Sequence, residues 1–232
     1  MDLSKEIMQQ KILVGCPTSD YHGYCLQEYT QAVKSLTYPN YDVLLVDNSK
    51  DDSYLKKLKS LDLSAMKGHW YEGAKDRIVS SRNILRKQAI QQGYDFLLSL
   101  EQDIIPPKDI IERLLHNNKD IVSAVYFMPY NNTLTPMLGV NQGKEKYSYL
   151  SFEQVDKSSE VININYVGLG AILISKRVLE KIKFRIDKKP GFDDWWFCKD
   201  AEREGFKIYA DLSVKCKHLL NNRPWSWTNI KL

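Results

Sequence analysis

The chain has 232 residues, 43% of them hydrophobic and 27% charged, and its 33 Lys and Arg against 29 Asp and Glu give a formal charge of +4. Such an apolar fraction with so little net charge excludes a disordered chain, and no stretch approaches the roughly 20 uninterrupted apolar residues of a membrane span. At about 100–200 residues per domain the length suits one large domain or two small ones, with a core that needs no disulfide staples.

Residues 1–10 carry Asp2, Lys5 and Glu6 without an apolar run, so they do not read as a secretory signal. Residues 11–18 (KILVGCPT) predict a buried strand that stops at Gly, Cys and Pro. Residues 23–36 follow with Leu26, Tyr29, Val33 and Leu36 at helical spacing, and Pro39-Asn40 ends the run. Residues 41–46 (YDVLLV) form a second buried strand leading into Asp47-Asn48-Ser49. Residues 53–61 predict a helix with Ser53 as its cap, and residues 69–71 a short strand. Residues 80–92 predict a helix with Ile84, Leu85, Ala89 and Ile90 apolar and Gly93 as its stop. The next strand is 94–100 (YDFLLSL), and Glu101-Gln102-Asp103 stands at its end. Pro106-Pro107 opens a helix to about residue 116, and 120–127 (DIVSAVYF) is another strand.

The second half differs. Residues 129–160 mix polar and aromatic types, with short strands expected at 137–140 and 147–152. Residues 161–167 alternate as a half-buried strand does, Gly168-Leu169-Gly170 interrupts them, and 171–175 resume. Helices are expected at 176–183 and at 193–205, the latter stopped by Gly205, and short strands at 208–210 and 213–217 deliver His218. There is no internal repeat and no Gly- or Ser-rich linker. One unit over 1–232 is expected, with two functional halves at about 11–128 and about 129–232.

Strands that alternate with helices and read as continuous apolar runs predict an α/β protein with a mostly parallel central sheet. In such sheets ligands bind beyond the carboxyl ends of the strands. Three polar triplets fall there: Pro17-Thr18-Ser19, Asp47-Asn48-Ser49 and Glu101-Gln102-Asp103. In E-Q-D the two acids lie two apart and so point to one side, an oxygen-ligand arrangement suited to Mg²⁺ or Mn²⁺; a solvated loop is the plainer reading. Asp193 and Asp194 open a helix, where the macrodipole favours negative charge and accounts for one of them. An acid next to Trp195 and Trp196 also suits a general base whose pKa burial raises. Arg82, near the predicted start of its helix, suits an anion such as phosphate. Gly168 and Gly170 do not form a dinucleotide fingerprint; they mark a bulge or a close backbone approach to a ligand. His218 is an ordinary packed residue unless the E-Q-D site wants a partner. Cys16, Cys25, Cys198 and Cys216 form no C-x-x-C pair, so free thiols in a reducing, cytoplasmic setting are expected.

The ordered set resembles the GT-A glycosyltransferases, family 2-like members in particular, over roughly residues 11–218. It comprises C-P-T, V-D-N-S, the R-N helix, Y-D-F-L-L-S-L-E-Q-D, G-L-G-A-I-L-I-S-K-R, D-D-W-W-F-C-K-D-A-E-R-E-G and the V-K-C-K-H ending. The resemblance implies a Rossmann-like single domain with a small second sheet. It also implies transfer of a hexosyl group from a nucleotide-diphosphate sugar to an acceptor hydroxyl, inverting and dependent on Mn²⁺ or Mg²⁺. By that resemblance Pro17, Thr18 and Asp47 hold the nucleoside and Arg82 approaches the phosphates. Glu101 and Gln102 belong to the donor site, and Gly168 and Gly170 border the donor sugar. Asp103 and His218 ligate the metal. Glu101 stands where the family has Asp, and its longer arm reaches the metal directly or through water. Asp194 is the general base with Asp193 beside it. The implied partners are the donor and a saccharide, glycolipid or protein acceptor. No nucleic acid is implied, and the enzyme is cytoplasmic or peripheral to a membrane. The acceptor is expected near residues 126–132 and the Trp-rich tail, where Arg223, Trp225 and Trp227 either cover the site or pack on the core. Two other readings are a sugar-phosphate nucleotidyltransferase, disfavoured because the loop after the first strand lacks Arg and Lys, and a nucleotide-sugar-binding module without catalysis.

Overall fold

The computed structural model describes residues 9–130, 133–143, 147–187, 191–220 and 223–225. Asn131, Asn132 and the tail beyond Trp225, with Trp227, lie outside the described residues. In chain order the elements are β1 (Ile12–Thr18), a 3₁₀ turn (Asp20–His22), α1 (Leu26–Lys34), β2 (Tyr41–Asp47), α2 (Ser53–Ser60) and β3 (Ala65–Lys67). Next come α3 (Ala74–Gln91), β4 (Phe96–Leu100), β5 (Ile104–Ile105), α4 (Ile110–His116), β6 (Ile121–Val125), β7 (Phe127–Tyr130) and β8 (Thr133–Pro136). Then follow β9 (Leu138–Asn141), β10 (Tyr147–Tyr149), α5 (Phe152–Asp156), β11 (Val161–Ile164), β12 (Tyr166–Val167) and β13 (Ala171–Ser175). The last are α6 (Lys176–Lys181), α7 (Asp193–Arg203), β14 (Ile208–Lys215), β15 (Lys217–Leu220) and β16 (Arg223–Trp225).

The main sheet has eight strands in the order β11-β14-β6-β13-β4-β1-β2-β3. β1 pairs in parallel with β2 and β4, β2 with β3, and β6 with β14. β13 runs antiparallel between β4 and β6, and β11 runs antiparallel on β14. The sheet is therefore mostly parallel, as the apolar runs predict. Every residue of β1 is buried, and successive side chains serve opposite faces. Leu13 packs with Leu85 of α3, while Ile12 and Val14 pack with Leu26 and Tyr29 of α1. Each of these two cores draws residues from both halves of the chain. Three small sheets add to the frame: β10-β9-β12, β16-β15-β5 and β7-β8.

Several expected elements shift. α3 starts at Ala74, six residues before the expected start, because A-K-D-R-I-V is helix-competent and Gly73 supplies an extended N-cap. The third strand is Ala65–Lys67, in register with Leu45–Asp47, and residues 69–71 form none. Ser53 is the first residue of α2, not its cap, and its N–H donates to Asp51 Oδ1 at 2.8 Å. The helix after Pro106-Pro107 begins only at Ile110. The strand expected through residue 152 ends at Tyr149, since Ser151 and Gln154 form a capping box that opens α5. The alternating run 161–167 divides at Asn165: β11 joins the main sheet and β12 the small one. The two short strands before His218 are one strand, β14, with a register shift between Ala210 and Lys215. All four cysteines are free and buried, and among the described residues no helix is long and apolar enough to cross a membrane.

Candidate active site

A cleft of about 590 Å³ opens beyond the carboxyl ends of β1 and β2, lined by Pro17, Thr18, Asn48, Ser49, Trp70 and Arg77 among others. Pro17 and Thr18 thus face the expected cleft. Asp47 does not offer free oxygens to it. This carboxylate is wholly buried; Oδ1 accepts from the Ser49 N–H (2.9 Å) and hydroxyl (2.5 Å), and Oδ2 from Lys67 Nζ at 3.0 Å. Gln102 is likewise internal. The Thr18 hydroxyl donates to its Oε1, and its Nε2 donates to the His22 carbonyl at 2.7 Å. Both residues brace the loops that wall the cleft.

The short strands β5 and β15 pair antiparallel, with His218 opposite Ile104, and the Leu219 N–H donates to the Asp103 carbonyl at 2.7 Å. That pairing carries His218 across 115 residues of sequence to within 3.4 Å of Asp103 Oδ2. The other ring nitrogen, Nδ1, lies 2.6 Å from the Phe127 carbonyl. A carbonyl only accepts, so Nδ1 carries a proton, and neutral His218 turns the lone pair of Nε2 toward the carboxylate. Two lone pairs facing each other call for a cation or a proton between them. Burial works against protonating His218, but the Asp103 hydrogen bond and charge outweigh it and raise its pKa. Asp103 Oδ1 is buried and has no hydrogen-bond partner among the described residues. An orphan carboxylate oxygen beside an oriented imidazole fits a divalent cation.

Glu101, the third expected ligand, points elsewhere. Its Oε1 accepts from Arg82 Nη2, and its Oε2 lies beside the Gly170 Cα, where an added Cβ would sit 3.1 Å away. Among the described residues no three His, Cys, Asp or Glu side chains gather as a metal-ligating cluster, so the expected trio reduces to the Asp103–His218 pair. Arg82 is also misplaced by the sequence reading. With α3 beginning at Ala74 it lies mid-helix and only 3% exposed, away from the N-terminus of its own helix. Its Nε donates to Asp193 Oδ2 at 2.6 Å, and its Nη1 to Ser99 Oγ at 2.7 Å and the Leu169 carbonyl at 3.3 Å. It faces carboxylates, not a phosphate site. Asp193 is correspondingly spent on Arg82.

Asp194 is held by neutral donors, where Asp193 is held by a guanidinium. Tyr166 Oη donates to its Oδ2 at 2.7 Å, and the Trp195 N–H to its Oδ1 at 2.6 Å. Burial raises its pKa, against the Tyr166 hydrogen bond, and the charge of Asp193 adds to the rise. Tyr166 lies in a row of rings, 5.8 Å from Tyr149 and 6.2 Å from Trp195. The two glycines of G-L-G make room for Tyr126. A Cβ on Gly168 would lie 1.9 Å from its hydroxyl, one on Gly170 3.0 Å from it, and the Gly170 N–H donates to that hydroxyl at 3.2 Å. The Tyr126 ring meets His218 edge-on at 5.5 Å. The close approach read from the glycines is thus to a tyrosine of the chain itself. Tyr126 and Tyr166 were not singled out by the sequence reading as site-organising residues. The one signal for Tyr126 was the demand of paired glycines for a bulky neighbour.

No protein-family model matches the chain, and no curated protein matches it by sequence. Solved structures do match. A197 from STIV is 17% identical with a TM-score of 0.54, over 92% of this chain and 88% of that one. GalNAc-T7, solved with UDP, GalNAc and Mn²⁺, is 12% identical with a TM-score of 0.65, over 91% of this chain and 44% of that one. An S. aureus TarS fragment in complex with UDP-GlcNAc is 15% identical with a TM-score of 0.59, over 96% of this chain and 62% of that one. The fold is GT-A. In this GT-A chain the cleft beyond β1 and β2, the Asp103–His218 pair and Asp194 all belong to the segments expected from the resemblance. The chain spans under two thirds of the GalNAc-T7 and TarS chains it matches.

Proposed function

We propose that this protein is a glycosyltransferase that moves a hexosyl group from a nucleotide-diphosphate sugar to an acceptor hydroxyl. The observation that carries the reading is the Asp103–His218 pair: a carboxylate with Oδ1 orphaned and Oδ2 faced by the lone pair of neutral His218, just beyond β4. The neighbours with UDP, GalNAc and Mn²⁺, and with UDP-GlcNAc, support the donor class. Asp103 and His218 are the residues that hold Mn²⁺ or Mg²⁺ in this reading. A cation there supplies charge neutralisation for a departing diphosphate without proton transfer. The cleft walled by Pro17, Thr18 and Trp70 takes the nucleoside. Asp194 takes the proton of the acceptor hydroxyl, and burial suits it by raising its proton affinity toward the working pH. Attack from the face opposite the leaving group inverts the anomeric centre. A cytoplasmic or membrane-peripheral setting, with a saccharide, glycolipid or protein acceptor, completes the reading.

The test is a titration of UDP-GlcNAc and other nucleotide sugars with Mn²⁺, following release of free nucleoside diphosphate. Metal-dependent release supports the transferase. Tight binding without turnover of any donor supports a binding module, and pyrophosphate formation a nucleotidyltransferase; either result overturns the proposal.

A further inference from the structure

Arg82 has no task in the scheme above, yet it is the most heavily engaged cation of the molecule's centre. A buried guanidinium is costly unless paired, and here two carboxylates and two neutral oxygens pair it. Its acceptors sit on three segments far apart in sequence. Glu101 is two residues before Asp103. Asp193 is the neighbour of Asp194. Leu169 lies between the glycines that seat Tyr126, whose ring meets His218. One rigid fork therefore touches the segment next to each residue of the proposed chemistry.

We propose that Arg82 is a positioning residue that fixes the cation-side loop at 101–103 and the base-side helix start at 193–194 relative to each other. The inference rests on the proposed roles of Asp103 and Asp194. A planar guanidinium has five donors in a fixed geometry and can span such partners at once; an ammonium is a single point charge and cannot. The arrangement also explains why one of two adjacent acids is left over for chemistry. Asp193 is held by Arg82, which anchors the first turn of α7 and presents Asp194 to Tyr166.

The experiment is hydrogen–deuterium exchange on the full chain without substrate, comparing wild type with Arg82→Lys. Exchange is expected to rise about tenfold in both 99–105 and 192–198, while α1 stays unchanged. A rise in one segment alone, or a uniform rise across the chain as simple destabilisation gives, overturns the proposal. If Arg82→Lys does not fold, Asp193→Asn cuts a single tie. It is then expected to loosen 99–105 as well as its own segment, and an unchanged 99–105 overturns the proposal. Where a nucleotide sugar is turned over, Arg82→Lys lowers kcat and raises the donor KM together, since the loosened loop carries Asp103. Exchange needs no turnover, so a wild type inactive on every donor sinks the function and leaves the positioning result to stand or fall separately.

Discussion

Two neighbouring edges, one within the main sheet and one where it meets the small β5–β15 sheet, put polar residues to opposite uses. At the β1–β2 edge Asp47, and Gln102 reaching in from the end of β4, are closed circuits. Asp47 is satisfied by Ser49 and Lys67, and Gln102 by Thr18, Tyr54 and His22. At the edge formed by β4, β5 and β15 the circuits stay open. Asp103 keeps its Oδ1 with no partner among the described residues, and neutral His218 keeps a lone pair facing Oδ2. In a buried setting an unmet acceptor costs about 1–3 kcal/mol, so a protein retains one where something else is to bind. Polar residues at strand ends are thus of two kinds, and hydrogen-bond completeness separates braces from binding groups.

That contrast can be broken by substitution. The largest effect is expected at the open edge. Asp103→Ala should abolish Mn²⁺-dependent donor binding, a loss beyond the roughly 10–100-fold that removal of an outer partner costs, read by calorimetry. Asp194→Asn should leave donor affinity nearly intact and lower kcat by about 10²–10⁴-fold. Gly168→Ala should destabilise the fold by about 1–3 kcal/mol through its clash with the Tyr126 hydroxyl, and Tyr126→Phe should recover part of that loss in denaturant titrations. At the closed edge, Gln102→Ala should cost about 1–3 kcal/mol in the same titrations and leave Mn²⁺ affinity within about twofold, since it strands partners without touching the open groups. The smallest effect is a shift in the pH profile. Asp194 must be ionised to act, and burial raises its pKa, so kcat should fall toward low pH along a limb above the ordinary carboxylate range. Tyr166→Phe removes the hydrogen bond that opposes the rise and should move that limb further up.

The same contrast marks what was legible from residues alone. β1 and β4 were readable because they are buried on both faces, and β2 because its second half is, so each shows a run of apolar residues. The start of α3 was not, because residues 74–79 carry no buried apolar stripe and their helix shows only in propensity. The E-Q-D triplet marks a strand end, but nothing local tells that Gln102 turns inward, Glu101 toward Arg82 and Asp103 toward His218. Those choices depend on partners 19 to 115 positions away. The longer arm of Glu101 ends on the guanidinium, a partner the triplet itself does not reveal. Arg82 was read against its own helix, whereas its partners are supplied by β4 and α7.

One topological detail has an evolutionary consequence. β13 lies beside β6 and runs against it, with Ile172 opposite Ser123. The chain therefore leaves the sheet after Val125 and re-enters at Ala171 on the neighbouring strand, and between these points, among the described residues, β11 alone joins the main sheet as a strand. The segment over 126–170 is an excursion whose two feet stand together. Such a segment can be lengthened, shortened or exchanged without reordering any central strand.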